Sequence, residues 1–221
     1  MLPKTKKMKE FKIRCSAIGN IMTEARSKSD PLSKTCITYL EEWAKEQIYG
    51  RRKKVESKYM DKGIQMEDAA IEFVSIFYPE MPLLIKNEKT FESAHIIGTP
   101  DLILEDAIID IKCSWDCFTF PLFEQELPEK SYYWQLQGYM ALTGTSKGAI
   151  IYCLMDTPIE IVEKEIRFNP DQEDEIIAYH NYRNIPDKYK IKRFDVPRND
   201  QDIEAIKTRV EECKIYLTTI L

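Results

Sequence analysis

Apolar residues recur along this chain with two periods, and the changes of period sketch an α/β protein. In "SDPLSKTCITYLEEWAKEQIYG", Asp30 is placed to cap a helix and Pro31 to open it; Ile37, Leu40, Trp43 and Ala44 then form one apolar stripe. A second helix is expected in "KGIQMEDAAIEFVSIF", with Ile64, Ala70, Ile71, Val74 and Phe77 turned inward and Pro79 and Pro82 ending it. The centre reads as short strands, "KTFES", "HIIGTPDLILE" and "AIIDIKCSW", in an antiparallel pair or meander. "KSYYWQLQGYMALTG" returns to helix and stops at Gly144. "KGAIIYCLM" reads as a buried strand and "EIVEKEIRF" as a strand with one wet face. "NPDQEDEIIAYH" and the last 23 residues read as helix.

The central strands carry side chains that strands normally exclude. Asp101 follows Gly-Thr-Pro, where a bend or strand end is expected. Asp110 and Lys112, two apart on one strand, share a face; Gln135 and Tyr139, four apart on the next helix, share another. Glu67 lies on the helix after Gly63. Burying an unpaired charge costs several kcal/mol or shifts its pKa, so a compensating partner is expected. Hard carboxylate oxygens suit Mg²⁺ or Mn²⁺, and a lysine beside them suits phosphodiester hydrolysis, where it orients water and stabilises developing charge. Taken singly, each residue has an ordinary reading: a solvated carboxylate, a packed tyrosine, a helix-surface glutamine.

Composition adds boundaries. The 221 residues, 43% hydrophobic, suit one α/β domain, and no apolar run is long enough to cross a bilayer. The opening "MLPKTKKMKEFKIRC" is basic with no apolar segment after it, so a secretory signal is not expected and a cytoplasmic location is. Cysteines 15, 36, 113, 117, 153 and 213 are scattered, with two histidines in the chain, which disfavours a zinc site. Net charge is −5, yet residues 1–62 hold 16 Lys and Arg against 8 Asp and Glu, while 63–221 hold 16 against 29. In "YGRRKK", Arg51 and Arg52 fit a phosphate backbone and equally a solvated helix end.

Pro100-Asp101 followed by Asp110-Ile111-Lys112 resembles the signature of the PD-(D/E)XK nuclease superfamily. Glu67 in "GIQMEDAAIEF" resembles the acid on that superfamily's first core helix. "WQLQGYMALTG", with Gln135 and Tyr139, resembles the Q-xxx-Y motif of its RecB-like and lambda-exonuclease-like (YqaJ) branches. "RCSAIGNIM" resembles the segment in which the phage exonucleases hold DNA phosphate, here through Arg14 and Ser16; the alternative is a strand-to-helix junction with Ser16 as cap. The resemblance spans roughly residues 14–155 and implies a restriction-endonuclease-like core, a mixed central β-sheet flanked by helices. It implies a single nuclease domain over 1–221: a basic helical part (1–62), a catalytic core (63–155), and a C-terminal strand and helices (156–221).

What the resemblance implies for the site is Mg²⁺ or Mn²⁺ on Asp101, Asp110 and the main-chain oxygen of Ile111, with Glu67 direct or through water. Lys112 and Gln135 would act beside the metal, and Arg14, Ser16, Tyr139, Arg51 and Arg52 on the substrate. The implied activity is exonucleolytic digestion of linear duplex DNA, 5′ to 3′, in phage-type recombination within a bacterial or phage-infected cell. The implied partners are DNA, a single-strand annealing protein and further copies in a ring-shaped homotrimer. Two rivals remain open: an endonuclease or junction resolvase on the same fold, and a DNA-binding protein without catalysis.

Overall fold

The computed structural model describes residues 9–27, 30–54 and 57–221; most of the basic opening segment lies outside them. The chain enters through β1 (Ile13–Arg14), a 3₁₀ turn (Cys15–Ala17) and a single helical turn, α1 (Ile18–Ile21). Helices α2 (Lys34–Tyr49) and α3 (Lys58–Phe77) follow, and then the short strands β2 (Phe91–Glu92), β3 (Ile96–Gly98) and β4 (Leu102–Ile103). The centre is β5 (Ala107–Cys113), α4 (Lys130–Thr143) and β6 (Lys147–Cys153). Helices α5 (Ile159–Phe168) and α6 (Glu173–Tyr179), strand β7 (Ile191–Pro197) and helix α7 (Asp200–Ile220) complete it. None of the described helices is long and apolar enough to cross a membrane.

The expected mixed sheet is present as β4-β5-β6-β7, in which β5 and β6 run parallel and both outer pairs are antiparallel. A second, smaller mixed sheet stands apart from it in the order β1-β3-β2. Side chains alternate across the central sheet. Ile108, Ile150, Tyr152, Phe194 and Val196 join a core with residues of α1, α2, α4 and α7. Ile109, Ile111, Ala149, Ile151, Cys153 and Ile191 join a second core with Ala70, Ile71 and Val74 of α3. The sheet is therefore covered on both faces, which is why β5 and β6 read as near-continuous apolar runs.

Four local expectations are corrected. Helix α2 opens later than the Asp30-Pro31 pair suggests: Ser33 is its cap, accepting from the Cys36 amide at 3.0 Å, with Leu32 buried beside it. Ile64 is 68% exposed although the helical stripe places it inward, because the first turns of α3 bury Lys62 instead. Ser16 sits inside the 3₁₀ turn, whose cap is Arg14, so it is not a cap. "EIVEKEIRF" belongs to a helix: Ile161 and Val162 are buried consecutively, which a strand with one wet face forbids, and Glu160 and Arg167 suit the two ends of the helix dipole. Strand β7, which the periodicity leaves unassigned, buries Ile191 on one face and Phe194 and Val196, alternating with Arg193 and Asp195, on the other, and pairs along the whole of β6.

Candidate active site

Asp110 lies in the middle of β5 on the α4 side of the sheet, 1% exposed. From α4, Gln135 Nε2 donates to Asp110 Oδ1 at 2.9 Å and to the Tyr139 hydroxyl at 3.0 Å. Tyr139 in turn donates to the Thr99 carbonyl at 3.1 Å. The four-residue spacing of Gln135 and Tyr139 thus makes a strut from β5 to the segment that carries Asp101. Lys112 Nζ stands 2.6 Å from Asp110 Oδ2, yet that oxygen is buried without a hydrogen bond of good angular geometry. Burial works against the Lys112 ammonium, but Asp110 beside it outweighs that and raises its pKa. Burial likewise pushes Asp110 up, against the pull of Lys112.

Asp101 sits at the bend before β4, and its Oδ2 accepts from the Ile111 amide at 2.9 Å. Burial, reinforced by the Asp110 charge, lifts its pKa to about 7, against the Ile111 amide and Lys112. Burial raises both acids, the Asp110 charge raises Asp101 further, and one Asp110 oxygen has no good donor, so the pair leaves room for more positive charge. Glu67 of α3 shares a cavity of about 680 Å³ with Asp101, Ile111 and Lys112. Its Oε2 lies 3.0 Å from Lys86, a residue that no feature of the sequence singles out. Lys86 is positioned by its β-bridge to Leu102, next to Asp101.

Among the described residues, no three His, Cys, Asp or Glu side chains are gathered as a ready-made metal cage. Lys112 and Lys86 are the cations now beside Asp110 and Glu67. The donor set nevertheless fits a hard divalent ion: oxygen ligands, an unsatisfied buried carboxylate oxygen and an acid whose pKa is raised to about 7. The same cavity is also lined by the aromatic residues Tyr59, Trp115, Phe118 and Tyr132, the last with its ring centre 4.6 Å from Lys112 Nζ.

The structure therefore gathers Glu67, Asp101, Ile111 and Lys112 around one cavity, with Asp110, Gln135 and Tyr139 packed behind it. Arg14, Arg51 and Arg52 lie elsewhere, around a second cavity of about 610 Å³ that Lys9 and Lys12 also line. Ser16 is exposed on the 3₁₀ turn and lines neither cavity. Strand β3 connects the two places: Ile97 pairs with Arg14 and lines the basic cavity, and the chain reaches Asp101 four residues later.

Comparison with solved structures places this arrangement among exonuclease folds. A phage-related exonuclease from Haemophilus somnus 129PT is 29% identical, with 96% of each chain covered and a TM-score of 0.84. The alkaline exonuclease LHK-Exo from Laribacter hongkongensis is 17% identical over 94% of this chain and 88% of its own, with a TM-score of 0.68. The same enzyme in complex with dAMP gives a TM-score of 0.67 at 19% identity. No protein-family model and no curated protein matches the chain by sequence. The fold is of the restriction-endonuclease-like type.

Proposed function

We propose that this protein is a divalent-metal-dependent deoxyribonuclease of the PD-(D/E)XK type that digests one strand from the ends of linear duplex DNA. One observation carries the reading. Asp101, Asp110, Lys112 and Gln135 converge at β5 on a chain alike, over nearly its whole length, to a phage-related exonuclease. Mg²⁺ or Mn²⁺ held by Asp101, Asp110 and the Ile111 main-chain oxygen, with Glu67 direct or through water, would acidify bound water and neutralise charge growing on the phosphoryl group.

This chain's own residues do the rest. Gln135 fixes one oxygen of Asp110 and leaves the other, beside Lys112, for the metal. Lys112 stays cationic, since its pKa is raised, and so stabilises an anionic oxygen beside it. Tyr139 keeps Gln135 and Thr99 in register, which holds Asp101 against Ile111. Arg14, Arg51 and Arg52, clustered around the basic cavity, suit a terminal or backbone phosphate. The resemblance of "WQLQGYMALTG" and "RCSAIGNIM" to the phage exonucleases supports 5′-to-3′ digestion in recombination or DNA processing.

The deciding assay offers end-labelled linear duplex, nicked circle, closed circle and single strand with each metal. Progressive shortening of linear duplex in Mg²⁺ or Mn²⁺, faster from 5′-phosphorylated ends, is expected, with closed circles intact. Efficient linearisation of a closed circle, or cutting at a fixed internal site, would replace this reading with the endonuclease.

A further inference from the structure

Helix α3 inverts its own patterning in its second turn: Ile64 faces solvent, while Lys62 is 0% exposed. Its Nζ donates to the main-chain oxygen of Trp115 at 2.8 Å and lies 5.8 Å from the ring centres of Trp115 and Tyr182. The charged and titratable groups around it are Cys113 of β5, Asp116 of the following loop and Asp156 after β6. His180, after α6, and Lys58, one turn earlier on α3, complete the set. Burial lowers the Lys62 pKa to about 8, against the pull of Cys113, Asp116 and Asp156. A long apolar side chain would fill this place without the desolvation cost, so the ammonium has a use beyond packing.

That use lies in what it holds. The loop over residues 114–121 supplies Ser114, Trp115, Phe118, Thr119, Phe120 and Pro121 to the lining of the cavity that Asp101 and Lys112 also line. Within the loop, Asp116 Oδ1 accepts from the Phe118 and Thr119 amides at 3.1 and 2.8 Å. Its Oδ2 accepts from Tyr179 at 2.9 Å, which ties the loop to α6. Lys62 ties the same loop to α3, the helix that presents Glu67 to the cavity. The wall offers aromatic faces of the kind on which unpaired bases stack, with Phe118 83% exposed.

We propose that Lys62 is a positioning residue that holds the main-chain oxygen of Trp115 to α3, fixing the aromatic loop that shares the cavity with the acids and with it the grip on the strand being cut. The inference rests on the nuclease reading above. Lys62→Met keeps the length of the side chain and removes the donor; its fold is checked by circular dichroism and melting. KM for linear duplex should rise about tenfold, the scale of a lost charge-assisted hydrogen bond, with kcat changed less than about twofold. Wild-type KM should also climb as pH passes about 8, where Lys62 loses its proton, while the variant's profile stays flat there. A variant with unchanged KM and the wild-type pH profile would overturn the proposal.

A second measurement needs no DNA. Indole emission of the free wild-type protein should show a step near pH 8 that Trp115→Phe removes. A wild-type titration without that step overturns the proposal. If the step is present but no DNA is cut with any metal, the nuclease reading fails and the Lys62 contact stands.

Discussion

Replacing Asp110 by Asn preserves the shape of a fully buried side chain and its acceptor for Gln135 while removing the charge that Lys112 faces. Cleavage should fall by on the order of 10³-fold or more in that variant, while DNA binding persists or improves. Lys112→Arg should not rescue Lys112→Ala, because the broad guanidinium fork does not replace a compact ammonium 2.6 Å from a carboxylate. Single-turnover cleavage and gel-shift assays read both. Asp101 makes a different prediction, about stability. In the metal-free protein burial raises its pKa from the usual 3.8 of an aspartate to about 7, so between those values the folded state binds more protons than the unfolded one. Its contribution to stability is therefore lost as pH rises through that window. Relative to Asp101→Asn, the wild-type melting temperature should drop by several degrees between about pH 4 and pH 8 in chelator. Mg²⁺ at the higher pH should recover it. Equal pH dependence in the two proteins would sink this account.

Elements meet at the site through residues too small to clash. A Cβ added at Gly98 of β3 would stand 2.5 Å from Cys15 Sγ and 2.8 Å from the Tyr139 ring. One added at Gly138 of α4 would stand 2.4 Å from Ile18 Cδ1. Both glycines let α4 close on the first turns of the chain, which keeps the Tyr139–Gln135–Asp110 strut in line. Gly98→Ala should cost about 1–3 kcal/mol in urea unfolding and also reduce turnover, since the Tyr139 ring must move. Gly63 of α3 has open space around its Cα, so Gly63→Ala should instead stabilise by roughly 0.5–1 kcal/mol. The glycine that ends α4, Gly144, adopts φ +79°, a left-handed turn that glycine enters at little cost.

Over the whole molecule, charge is divided rather than uniformly acidic. The net −5 coexists with a cavity lined by Lys9, Lys12, Arg14, Arg51 and Arg52, where Glu10, Glu46 and Glu92 partly balance them. Backbone binding there should release counterions, so affinity for linear duplex should fall steeply with salt. Removing both Arg51 and Arg52 should lower the slope of log K against log salt by about 1–2, uniformly across sequences. An unchanged slope would assign these arginines to the solvated helix end that the sequence also allows. Lys53, next to them, already behaves that way, pairing with Glu42 at 2.6 Å.

What is local was legible in the residues themselves. The shared face of Asp110 and Lys112, the four-residue strut of Gln135 and Tyr139, the bend at Asp101 and the stop at Gly144 all follow from backbone periodicity and turn chemistry. Tertiary structure decided which of these faces meet. Asp110 belongs to the α4 side of the sheet, while Glu67 comes from α3, which covers the other side. Nothing local in either segment records that both charges come within reach of Asp101, nor that Lys86 pairs with Glu67. The same holds for β7, whose pairing with β6 spans about forty residues, and for Lys62, buried against the apolar pattern of its own helix. Periodicity reports that one side of an element is covered; it does not say by what, because contacts between distant segments leave no trace in the spacing of either one.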